Sequence, residues 1–171
     1  LTLATSSVLV VCDHDLRLPE CHWRVAGVVI PVFSLRSEGS QGVGDFGDLS
    51  LLANFAATAG MHAIPLLPIY DTTQTHTWSD CYPYTAINIY ALHPMYADLR
   101  QLPRLHSRDV MSRFETRAAQ LNALPQVDYE GVNQLKHDYL QMLYAQEGPA
   151  VMASDDYRKY YAENEDWLLP Y

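Results

Sequence analysis

The chain has 171 residues, 49% of them hydrophobic and 18% charged, enough for one domain with a real core and too apolar for global disorder. Its formal net charge of -9 excludes a general nucleic-acid binder, because phosphate affinity needs clustered Lys and Arg. No apolar run reaches the length of a membrane span; Val25 to Phe33 is the longest clear one and is strand-sized.

Residues 1–24 begin with an apolar patch that has neither an initiator Met nor a basic stretch before it. A cut from a longer chain fits this better than a signal peptide. Ser7 to Cys12 has the composition of a short strand, and Leu16 to Trp23, with Pro19, reads as irregular. The three cysteines, Cys12, Cys21 and Cys81, are odd in number and lack C-x-x-C spacing. That pattern favours a reduced, cytoplasmic compartment over a disulfide framework. Cys12, Cys21, His14 and His22 stand too far apart for the tight ligand pairs of a structural zinc site, so no metal is expected.

Val25 to Phe33 is nearly all apolar, as in a parallel strand buried on both faces, with Pro31 near its end. Ser34 to Gly47 is a glycine-rich loop. Asp48 is placed as a helix N-cap, and Leu49, Leu52, Phe55, Ala56 and Ala59 share one helical face that ends at Gly60. Met61 to Ile69 is a second buried run. Strand, helix and strand with such short joins make a βαβ unit. Tyr70 to Tyr84 is a long polar and aromatic loop, a size that is often functional. Thr85 to Leu92 is ambiguous between strand and irregular core, and His93-Pro94 stops it. Helices are predicted over Ser107 to Leu124 and Tyr129 to Gln146, and a third from Ser154 toward Leu168. In the second, Val132, Leu135, Tyr139, Met142 and Leu143 form the apolar stripe.

Gly42 to Gly47 matches G-x-G-x-x-G between a strand and a helix, the context of a dinucleotide site. Ser34 to Gln41 intervene between strand and glycines, and Asp45 would set a carboxylate beside a pyrophosphate. A well-ordered loop crossing the end of a sheet is the better reading. The twelve Tyr have two uses, core filling or stacking and hydrogen bonding on sugars.

Several ordered motifs resemble one family. Pro31 to Ser37, then Gly42 to Leu49, are similar to the opening of 4-α-glucanotransferases, the amylomaltase or disproportionating enzymes of glycoside hydrolase family 77. Ala63 to Ile69, and Asp80 to Tyr84 followed by His93-Pro94, match that family's next strand and loop. Asp71 to Thr73, Trp78 to Tyr84, Ala91 to Tyr96, Val127 to Glu130, Lys136 and Asn164 to Leu168 resemble the branch of the plant cytosolic enzyme.

The resemblance implies an α/β fold, the start of a (β/α)₈ TIM barrel with helical insertions, over residues 25–171. Residues 1–24 are then the end of a preceding starch-binding module or a linker. It implies no cofactor, and α-1,4-glucans and malto-oligosaccharides as partners, without nucleic acid or membrane. The implied activity is retaining transfer of glucan segments between sugars, by a nucleophilic carboxylate and an acid/base carboxyl. No segment here matches the family's catalytic carboxylate motifs, so this stretch is expected to be inert alone and to carry part of a glucan cleft. A noncatalytic glucan-binding or interaction module is the alternative.

Tyr84 matches a family Tyr of the glucan cleft; it could equally pack over the barrel mouth. Trp78 offers a stacking face or is buried under the loop. Asp80 accepts sugar hydroxyls or orients the loop. Ser34 and Asp45 match family loop positions and are assigned first to loop structure. Asp45, Asp71 and Asp80 share one end of the expected sheet, where turn formation is the favoured role for each. His76 and His93 read as satisfied loop histidines, and His93 stands where the family usually has Asn.

Overall fold

A computed structural model describes residues 25–171. The readings of residues 1–24, including the strand at Ser7 to Cys12 and the Cys/His set, lie outside them.

Four helices dominate: α1 (Phe46–Thr58), α2 (Arg108–Asn122), α3 (Tyr129–Ala153) and α4 (Asp155–Leu168). Short 3-10 turns stand at Val32–Ser34, Trp78–Cys81, Pro94–Tyr96 and Leu99–Gln101. The expected strands are corrected. Residues 25–31 and 61–69 run extended but meet at a single parallel bridge, Gly27 to Ala63, supported by His62 N–H to the Ala26 carbonyl and Ile30 N–H to that of Pro65. No longer ladder forms among the described residues. Pro31, Pro65 and Pro68 lack ladder donors, and Val25 and Val29, expected inside, are 46% and 69% exposed. A parallel pair gains little from its own hydrogen bonds unless further strands or helices cover both faces. Thr85 to Leu92 is irregular and mostly exposed, with Ala91 its buried residue, and touches Tyr70 through an antiparallel bridge at Leu92.

α1 starts earlier than the spacing predicts. Asp45, not Asp48, is the N-cap: its carboxylate accepts from the Gly47 and Asp48 N–H groups, while Asp48 at N3 accepts from the Asp45 N–H in a capping box. Two Asp three positions apart suit either register in the sequence, and the reciprocal bonds decide. Gly60 follows the helix at φ 72°, the left-handed conformation expected there. Ser107 and Ser154 cap α2 and α4 as expected. α3 runs past Gln146 to Ala153, with Pro149 inside it. Pro149 removes one N–H near the end of a helix already anchored by its buried first half.

That first half is the centre of the molecule. Val132 and Leu135 join Val32, Val43, Met95, Tyr96, Leu121 and Tyr129 in the main core. Tyr139 forms a second cluster with Leu99 and Leu105, and Phe114 packs against both clusters. α3 therefore packs against α2, α4 and the turns at 94–96 and 78–81. The Arg36 side chain donates to the Leu124 carbonyl at 2.9 Å and to that of Asn122, closing the C-terminal end of α2 onto the loop after Phe33.

Candidate functional site

The aromatic loop at residues 70–84 is built around Asp80. Asp80 is buried, and its Oδ2 accepts from the backbone N–H groups of Gln74, Thr75 and His76 at 3.1, 2.8 and 2.7 Å. Its Oδ1 accepts from the Thr75 hydroxyl at 2.9 Å. Burial pushes the carboxyl up, but these hydrogen bonds outweigh it and hold Asp80 below its ordinary value. His76 takes φ 58°, a left-handed conformation that costs a non-glycine residue about 1 kcal/mol. The Asp80 contact offsets that cost. Thr72 donates its hydroxyl to the Asp80 carbonyl, and Asp71 accepts from the Thr73 N–H. The loop is thus stiffened by its own polar atoms, which leaves its aromatic rings outside.

Those rings are largely free. Trp78, Tyr82 and Tyr84 are 61%, 58% and 59% exposed. Tyr82 and Tyr84 lie 5.3 Å apart, tilted, and Trp78 stands nearly perpendicular to Tyr129 at 6.4 Å. A cavity of about 630 Å³ opens beside the loop, lined by Asp71, Thr73, His76, His93, Glu130, Asn133, His137 and Tyr171 among others. Trp78, Tyr82 and Tyr84 do not line that cavity; the exposed rings suit a ligand with an apolar ring face, and the hydroxyl, amide and carboxylate groups of the cavity suit one with many hydroxyls.

His93 lies buried at the floor. Its Nδ1 accepts from the Met95 N–H at 3.2 Å, and its Nε2 meets the Tyr129 hydroxyl at 3.0 Å. Burial lowers its pKa against the opposing pull of Asp71 and Asp80. With Nδ1 accepting, the neutral ring donates from Nε2, so both nitrogens are satisfied. Asp71 also stays below its usual range: burial raises it, but bonds from Thr73 and the Tyr171 hydroxyl outweigh that.

The glycine loop does something else. Asp45 is wholly buried and itself occupies the first free N–H groups of α1, those a pyrophosphate would need. Asp48 is filled by the Ser37 and Ser40 hydroxyls at 2.6 and 2.7 Å. The Lys136 ammonium, also wholly buried, stands 3.9 Å from Asp45 Oδ2 and donates to the Ala97 carbonyl. Asp45 Oδ2 has no hydrogen-bond partner among the described residues. Burial pushes Asp45 up and pulls Lys136 down to about 8. Arg100, bound to Asp98 at 2.7 Å, adds positive charge 3.5 Å from Asp45. Gly44 is required by contact, since a Cβ there would lie 2.0 Å from the Val32 carbonyl oxygen.

The expected site residues thus fall into two places. Trp78, Asp80 and Tyr84 come together on one loop. Asp45 lies in the charge network under α1, and Ser34 is exposed at the end of its own turn. Lys136, Tyr129 and Glu130 lie outside the site residues expected from the sequence. Lys136 had a legible signal, a charge at helical spacing within the stripe of Val132, Leu135 and Tyr139. The contacts of Tyr129 and Glu130 with residues some fifty positions away had none. Among the described residues no group of three or more His, Cys, Asp or Glu is placed to hold a metal ion. None of the described helices is long and apolar enough to cross a membrane.

Comparison with known proteins bears on this geometry. Residues 30–171 match the family pattern of glycoside hydrolase family 77, described as 4-alpha-glucanotransferase. The chain is 38% identical over 166 residues to the 4-alpha-glucanotransferase DPE2 of Oryza sativa subsp. japonica, covering 97% of this chain and 17% of that protein. It is 35% identical over 121 residues to a 4-alpha-glucanotransferase of Chlamydia trachomatis, covering 69% of this chain and 21% of that protein. A 4-alpha-glucanotransferase of Haemophilus influenzae is 30% identical over 128 residues, covering 71% of this chain and 18% of its own length. The chain therefore spans about a fifth of the length of these relatives.

Proposed function

Because the chain belongs to the 4-alpha-glucanotransferase family, glycoside hydrolase family 77, we propose that it forms the glucan-presenting part of such an enzyme. The observation that carries this is the loop at 70–84, where the polar frame of Asp80 leaves Trp78, Tyr82 and Tyr84 exposed as a sugar-binding surface. Trp78 and Tyr84 supply stacking faces, and Asp80 holds them while its loop offers hydroxyl and backbone groups to the sugar. Ser34 is a polar contact on the neighbouring wall. Asp45 is buried, so it serves by fixing that wall in place.

In the whole enzyme the reaction is retaining transfer of an α-1,4-glucan segment. A carboxylate attacks the anomeric carbon and a carboxyl group protonates the departing glycosidic oxygen; the acceptor hydroxyl then displaces the carboxylate. The residues of this chain bind and orient the glucan, and none is assigned a catalytic role. Residues 25–171 are taken as the first part of a (β/α)₈ barrel with a helical insertion. Its short bridge at Gly27 and Ala63 supports that reading as an incomplete parallel pair. A cytoplasmic location without a cofactor goes with it, and the exposed thiol of Cys81, in no disulfide among the described residues, suits a reducing compartment.

Calorimetric titration with maltoheptaose tests the binding reading. Saturable binding is expected, weakened roughly tenfold by Trp78→Ala, the scale of one lost aromatic stacking contact. Absence of saturable binding would overturn it. Incubation of the chain alone with maltotriose is expected to release no glucose, and release would show that the chain carries catalytic groups of its own.

A further inference from the structure

Trp78 opens the four-residue turn Trp78–Cys81, so its N–H has no partner within that turn, and Thr77 gives no side-chain cap. The partner comes from α3: Glu130 Oε1 accepts the Trp78 N–H at 2.9 Å. The adjoining residue, Tyr129, sets its ring at 86° to the indole. Tyr129 is itself buried and tied to His93 at 3.0 Å. Asp128 caps this end of α3 through the Gly131 N–H. The Asp80 bonds stiffen the turn from within, since their donors are residues 74–76. They do not determine where the indole stands relative to the rest of the molecule. Residues 129 and 130 tie it to α3.

We infer that Glu130 is a positioning residue for glucan binding: it holds the Trp78 backbone so that the indole braces against Tyr129 and keeps an open face for a pyranose ring. Glu130 also lines the cavity beside the loop, but in this role it acts through Trp78 rather than by touching the sugar. The role rests on the reading of this loop as a glucan site. It assigns the start of the helical insertion a direct hand in affinity for the chain bound at the loop.

The test uses the full chain carrying Trp23→Phe and Trp167→Phe, which leaves Trp78 as its single indole. Acrylamide quenching of Trp78 without sugar reads how firmly the ring is held, and titration with maltoheptaose reads binding. Far-ultraviolet circular dichroism checks that each variant is folded. Glu130→Ala is expected to raise the quenching constant and weaken binding roughly tenfold, while Glu130→Gln, which keeps the acceptor oxygen, stays within about twofold on both readouts. When Trp78→Ala is already present, Glu130→Ala is expected to weaken binding no further, as two residues acting as a unit should. Unchanged quenching and affinity in Glu130→Ala would overturn the role. So would an equal loss with and without Trp78, which would mark a direct sugar contact. If the unsubstituted chain does not bind maltoheptaose, the glucan reading fails and this role falls with it. Quenching that still rises in Glu130→Ala would then show that the loop anchor itself is real.

Discussion

A lysine with no exposed surface lies opposite an aspartate with none, and neither is fully bonded. Lys136 and Asp45 are 3.9 Å apart, and the outer oxygen of Asp45 accepts no hydrogen bond among the described residues. Taking two charges out of water costs several kcal/mol each, and attraction repays it only while both are present. Lys136→Met is therefore expected to destabilise the chain by about 3 kcal/mol in urea unfolding, because it strands the Asp45 charge. The pH dependence has a definite sign. Lys136 titrates near 8 in the folded chain against an ordinary 10.5, so the unfolded chain binds more protons between those values. Stability from this group rises as pH climbs from about 8 to about 9.5, and that rise is expected to vanish in Lys136→Met. Asp45, Asp98, Asp48 and Arg100 also face the ammonium, and buried tyrosines such as Tyr96, pushed up to about 12, titrate above that range. At the same scale, Asp80→Ala removes the acceptor shared by three backbone N–H groups. Amide hydrogen exchange at Thr75 and His76 is expected to accelerate about tenfold or more, with little change in α3.

The elements were legible in unequal measure. Helices α2 and α4 could be placed because Ser107 and Ser154 mark their starts and apolar residues recur at helical spacing. The start of α1 was displaced because Asp45 and Asp48 both suit the cap. The strands failed for another reason: apolar runs with prolines state a preference for burial, but a ladder needs neighbours. Glycines of this chain serve different ends. Gly44 is small because the Val32 carbonyl presses on it, and Gly60 is small because its φ is positive. The two are expected to respond differently. Gly60→Ala, with open space around the added Cβ, should cost about 1 kcal/mol of backbone strain. Gly44→Ala forces backbone apart and should cost several kcal/mol or prevent folding, as read by thermal melting.

At the scale of the whole molecule, three carboxyls held below their ordinary 3.8 share one acid limb: Asp71, Asp80 and Asp98. Each contributes stability that is complete above 3.8 and lost as pH falls through its folded value. Unfolding at about pH 5 and about pH 3 is expected to show that loss, with a shallower fall in Asp80→Asn. Asp45, pushed up by burial, works in the opposite direction and softens the limb. Large side chains also remain outside, including Val29, Leu51, Phe55 and Ile89, each more than half exposed. With the unextended parallel pair beside Val29, they are expected to drive concentration-dependent association in sedimentation velocity. Val29→Lys should reduce it. From sequence alone came the family, the helical second half, and the loop carrying Trp78, Asp80 and Tyr84, because these rest on local spacing and on motif order. Only the tertiary structure decided that Asp45 is buried against Lys136, that the glycines close a packed loop, and that Glu130 reaches Trp78. The first and last of those outcomes join residues separated by about ninety and about fifty positions, where no local preference of the chain can choose the partner.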